Sequence, residues 1–109
     1  MIHTSRLYAV SEVDSAEDLA SKLTTMSWTL CTAFELEGLL FANDAFSEDG
    51  AQEYAVVRGG RQVDSVTFSW CTTERALAII AELLSGAGED LGSVELRLER
   101  RDHRCPLCA

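Results

Sequence analysis

Two stretches constrain the fold more than anything else in this sequence. The first, SWTLCTAFELEGLLFAND, sets Trp28, Leu30, Thr32, Phe34 and Leu36 against Thr29, Cys31, Ala33, Glu35 and Glu37. A period of two is the mark of a strand with one apolar and one mixed face. The Glu-Gly pair that follows fits a tight turn into LLFAN, so the pattern predicts paired strands over 28–36 and 39–43. The second stretch, EYAVVRGGRQVDSVTFSW, repeats the arrangement around Gly59 and Gly60. Val66, Phe68 and Trp70 alternate with Thr67, Ser69 and Cys71, and two glycines supply the positive φ angles a two-residue turn needs. Two hairpins are therefore expected in the middle of the chain.

Helical patterns flank them. Ala16, Leu19, Ala20 and Leu23 share one face at helical spacing, which predicts a helix over 14–25. Asp14 with Glu17, or Ser15 with Asp18, gives a capping-type start. TTERALAIIAELLSG predicts a second helix over 73–85, capped by Thr72 or Thr73, with Ala76, Leu77, Ile80, Leu83 and Leu84 as its buried stripe. Gly86 stands where a left-handed residue closes a helix. SVELRLER alternates again and reads as a final strand, while RLYAV near the start is compatible with a first one. Strands clustered between helices argue for an α+β fold. The expectation is an antiparallel sheet of about five strands, two hairpins plus a C-terminal strand, with two helices on one face and an open, polar opposite face.

At 109 residues the chain fits one domain, read here as 1–100 with a tail over 101–109. Its 18 acidic residues against 9 basic ones give a net charge of −9. Such a surface repels nucleic-acid phosphates and anionic membranes and favours a basic protein or nucleoprotein partner. Charge of this sign also serves solubility alone. Residues 95–109 depart from the trend: four arginines against three acids leave that end slightly basic. No signal-peptide core or membrane-spanning run is visible, so a cytoplasmic protein with reduced thiols is expected.

The tail HRCPLCA raises the question of metal. Cys105 and Cys108 have the spacing of half a tetrahedral zinc site, and His103 is a third candidate ligand. Zinc ribbons carry two such pairs, and here the other candidates are Cys31, Cys71 and His3. A second copy of the chain or a partner would have to complete the site. The alternatives are a free tail or cysteines packed as small apolar residues. Cys31 and Cys71 read better as core residues than as nucleophiles, because the two histidines lie at the chain ends. No nucleophile elbow, phosphate loop or metalloprotease motif is present, so no enzyme is expected. Arg58 and Arg61 flank the Gly-Gly turn, where they serve an anion or simply a solvated hairpin end.

The segment NDAFSEDGAQE reads as a loop over 44–53 rich in carboxylates: Asp44, Glu48, Asp49 and Glu53. It does not suit calcium, because Phe46 occupies the third position, where an oxygen is needed. Phe46 amid carboxylates suits a protein interface as an exposed anchor, or else tucks into the core. Glu12, Asp14, Glu17 and Asp18 form a second acidic group at the start of the first helix. The two groups make one negative face if the fold brings them together.

In size, acidity, compact α+β pattern and lack of catalytic apparatus the chain resembles the small inhibitors carried by phages and mobile elements, such as anti-CRISPR proteins. That resemblance implies a non-enzymatic binding protein that blocks a basic, nucleic-acid-handling host complex by placing carboxylates where phosphates would sit. Glu17, Asp18, Asp44, Glu48, Asp49 and Glu53 would form the contact, with Phe46 as anchor. The alternative is a zinc-binding accessory or oligomerisation domain built on Cys105 and Cys108. Exposed strand edges would also permit a homodimer.

Overall fold

The fold comes from a computed structural model and is described for residues 7–25, 32–46, 52–68 and 71–100, with backbone alone at 25, 44–46, 52 and 100. The elements in chain order are β1 (Leu7–Glu12), α1 (Ala16–Thr25), β2 (Thr32–Leu36), β3 (Leu39–Phe46), β4 (Gln52–Arg58), β5 (Arg61–Thr67), α2 (Thr73–Leu84) and β6 (Arg97–Arg100). The strands form one sheet in the order β5-β4-β3-β2-β1-β6.

Both hairpins form where the alternation places them. Glu37 and Gly38 have φ of 48° and 84°, and Gly59 and Gly60 have 58° and 77°. Two consecutive positive values are the turn whose twist matches that of the flanking strands. The α+β class holds, but the sheet is mixed and six-stranded rather than antiparallel and five-stranded. β1 pairs in parallel with both β2 and β6. Helix α1 is the crossover that makes the first of these pairings, since a parallel neighbour cannot be reached through a tight turn.

Two boundaries differ from the sequence pattern for local reasons. The acidic segment over 44–53 is not a loop throughout. β3 continues to Phe46 and β4 starts at Gln52, with a bulge between Asn43 and Ala45 absorbing the polar run. Only Arg97–Arg100 of SVELRLER is strand; the alternation over 93–96 serves a different packing. Residues 28–31 of the predicted first strand lie outside the described residues.

Both helices pack on one face of the sheet. α1 buries Leu19, Ala20 and Leu23, and α2 buries Ala76, Ile80 and Leu83. Beneath them lie Phe34, Leu36, Leu39, Phe41, Tyr54, Val56 and Phe68. The Phe68 ring meets those of Phe41 and Tyr54 at centroid distances of 6.3 and 6.2 Å. Each fully buried Leu or Ile here contributes about 1.5–3 kcal/mol. The caps follow the sequence. Ser15 Oγ accepts from the Asp18 amide while the Asp18 carboxylate accepts from the Asp14 amide. Thr72 Oγ1 accepts from the Arg75 amide.

The opposite face is apolar and buried, not open and polar. Tyr8, Val10, Ala33, Leu40, Ala42, Ala55 and Val57 form a second core there. The chain after α2 explains how it is covered. Residues 89–94 run along the start of β5 through bonds from the Glu89, Leu91 and Val94 amides to Val63, Gln62 and Gly60 carbonyls. Gly88 is needed at the approach, since a Cβ there would sit 2.8 Å from the Val63 carbonyl oxygen. Val94, Leu96 and Leu98 then pack onto the second core.

This strap dictates the shape of the sheet. In a flat six-stranded sheet the β4–β5 turn and β6 would be about 20 Å apart or more. The chain passes from Val94, bonded to Gly60, to Arg97, paired with Leu7, in three residues. Three residues reach at most about 11 Å. The sheet must therefore curl toward its second face until its two edges approach. A row of small residues permits the curl: Ala33 pairs with Ala42, and Ala42 with Ala55, all three buried on the inner side of three adjacent strands. The result is a half-closed barrel with the helices outside it.

Candidate functional site

The curl defines two ends of the sheet. One holds the β2–β3 turn at Glu37–Gly38, the β4–β5 turn at Gly59–Gly60, the end of β1 at Glu12 and the start of α1. The other holds Phe46, Gln52 and Glu53. Seven residue steps of β3 separate them, about 23 Å of strand. Glu17 and Asp18 therefore lie at the end opposite the Asp44 backbone and Glu53. Glu48 and Asp49 lie outside the described residues, as do the side chains of Asp44 and Phe46.

The first end gathers carboxylates that the linear sequence does not show as neighbours. Parallel pairing puts Glu12 beside Glu35, both on the inner face of the curl. Glu37 is exposed in the adjoining turn, and Asp14 and Glu17 are exposed just beyond β1. Glu95 is exposed on the strap. Asp18 is more committed: Lys22 lies 3.0 Å away and, with the Asp14 amide, holds the Asp18 carboxyl below the usual aspartate range.

The two arginines that flank the Gly59–Gly60 turn are used internally. Arg58 donates to the carbonyls of Leu83 and Ala87 at the end of α2, where the helix dipole is negative. Arg61 donates from Nε to both carboxylate oxygens of Asp90 and from Nη1 to Ser93 Oγ. Neither arginine of the Gly-Gly turn is left to hold an anion.

Between the two turns and the strap the barrel opens into a cleft of about 210 Å³. Leu40 and Val57 lie below and Val94, Leu96 and Leu98 beside it, with Glu35 lining its edge. Gly38, Gly59 and Gly60 form the rest of the rim, and a Cβ on any of them would meet nothing within 4 Å. Turn geometry alone requires these glycines; their consequence is a mouth without overhanging side chains. No alternation or motif announces this cleft, because the strap reaches it only through the closure of the barrel.

His103, Cys105 and Cys108 lie outside the described residues, as do His3 and Cys31. Among the described residues no group of three or more His, Cys, Asp or Glu is placed to hold a metal ion. Cys71 is half-buried beside the first core, as expected of a packing cysteine. No described helix is long and apolar enough to cross a membrane. Comparison with protein families, curated proteins and solved structures finds no match to this chain.

Proposed function

We propose that the chain is a non-enzymatic binding protein that blocks a basic, nucleic-acid-handling complex, in the manner of the anti-CRISPR inhibitors it resembles. One observation carries this reading: Glu12, Asp14, Glu17, Glu35 and Glu37 converge on one end of the sheet while Arg58 and Arg61, the cations of the neighbouring turn, are spent on internal carbonyl and carboxylate partners. Carboxylates gathered at one end of the sheet steer association with a positive groove and compete there with phosphates. The interaction would weaken with added salt.

The test is DNA cleavage by a panel of purified RNA-guided nuclease complexes, with and without the protein. Inhibition of at least one complex is expected, and it should be lost in a Glu12→Lys, Glu17→Lys, Glu37→Lys triple variant. Asp44→Lys with Glu53→Lys should leave inhibition intact; the reverse pattern moves the binding surface to the other end of the sheet. No inhibition and no complex formation with any basic nucleoprotein in the panel would sink the reading.

A further inference from the structure

The cleft at the mouth of the barrel combines two properties that rarely serve the same structural purpose. Its depth is apolar, made by Leu40, Val57, Val94, Leu96 and Leu98. Its surroundings are acidic: Glu35 lines it, Glu12 stands next to Glu35 on the same face, and Glu37 and Glu95 are exposed on the turn and the strap that border it. Core packing accounts for the apolar residues, but not for a mouth left open between them. Solubility accounts for carboxylates, but not for their concentration around an apolar opening.

We infer that the cleft takes one large apolar side chain from a basic segment of a protein partner, with the surrounding glutamates meeting lysines or arginines on either side of it. Charge complementarity selects this occupant. An apolar anchor flanked by acidic residues would meet repulsion on all sides, and a neutral one would forgo the attraction. The volume of about 210 Å³ suits a single side chain rather than an extended apolar strip. Anchors of this kind concentrate binding energy because the pocket excludes water around them. The inference rests on the acidic end being the binding surface and adds what that surface reads: one apolar group set among cations.

The probe is a fluorescein-labelled peptide, Arg-Lys-Phe-Lys-Arg, compared with Arg-Lys-Ala-Lys-Arg by fluorescence anisotropy on the intact protein. The phenylalanine peptide should bind about ten- to hundredfold tighter than the alanine peptide. Val94→Trp, which fills the cleft from its half-buried edge, should remove that preference. Leu96→Ala, which enlarges the cleft, should alter it without filling the mouth, and circular dichroism on both variants checks the fold. Glu12→Lys with Glu37→Lys should weaken both peptides together. Equal affinity for the two peptides in the unaltered protein overturns the cleft as an anchor site, as does absence of binding to either. A preference for phenylalanine in a protein that inhibits no nucleoprotein would keep the cleft and discard the inhibitor reading, so the two fail separately.

Discussion

Arg61 holds both carboxylate oxygens of Asp90 from a single nitrogen, Nε, at 2.8 Å each. The pair fastens the strap to the outermost strand where the Leu91 amide also bonds to Gln62. Both side chains are more than half solvated or close to it, at 50% and 58% exposure, so the pair orders the strap more than it stabilises the whole fold. Arg61 lowers the Asp90 carboxyl below the usual aspartate range, with the Gly92 amide assisting.

The expected result of Arg61→Ala is faster amide hydrogen exchange at Gln62, Leu91 and Val94, with the amides of α2 unchanged. The pH dependence has a definite sign. A carboxyl depressed in the folded state adds stability that is present above its unfolded pKa, near 4 for Asp (), and is lost as pH falls below it. Asp18, also depressed, acts in the same direction. Denaturation midpoints should fall between neutral pH and about pH 3, and less steeply in Asp90→Asn. An identical slope in both proteins would contradict the assignment.

Ala42 is the centre of the alanine row and is fully buried between Ala33 and Ala55. Replacing it with leucine adds three carbons at a position already fully buried on the inside of the curl. A loss of about 3 kcal/mol is expected in chemical denaturation, at the upper end for overpacked cores. Ala9, on the outer side of β1 and only half-buried, is the control, and Ala9→Val should cost much less. Equal costs at the two positions would mean that the barrel does not depend on small residues at its centre.

Tyr54 is buried under α2, and its hydroxyl has no hydrogen-bond partner among the described residues. Burial drives its phenol pKa upward from the usual value of 10.0. The folded state therefore favours the protonated phenol, whose contribution is full below the unfolded pKa and lost as pH rises above it. Stability should decline above about pH 10 (), and Tyr54→Phe should blunt that decline. At neutral pH the same variant should be neutral or gain about 1 kcal/mol, since it removes a buried polar atom without orphaning a partner. A marked loss of stability in Tyr54→Phe would show that the hydroxyl is bonded after all.

What the sequence reveals is what neighbours in the chain decide. The Glu37–Gly38 and Gly59–Gly60 turns, the Thr72 cap and the buried stripes of both helices depend on residues a few positions apart. The parallel place of β1 depends on pairing over long separations, and RLYAV carries no sign of its partners. In the sequence an alanine stands beside each of Phe34, Phe41 and Tyr54 without any sign of a common role, and only pairing turns three separate alanines into a line. The same holds for the candidate site. Glu12 and Glu35 become neighbours through the β1–β2 register, whereas the compositional grouping of Asp44 and Glu53 with Glu17 crosses the length of the sheet. The Cys105 and Cys108 half-site keeps its spacing and falls outside the described residues.

The strap that closes the barrel also sets an order of events. Leu7 and Arg97 are paired although 90 residues separate them. A chain emerging from the ribosome can form both hairpins and both helices early, but its inner face stays wetted until the last strand arrives. Such high contact order slows folding and leaves apolar surface open to other chains in the meantime. The chain's net charge of −9 acts in that same interval, since copies carrying it repel one another while their barrels are still open.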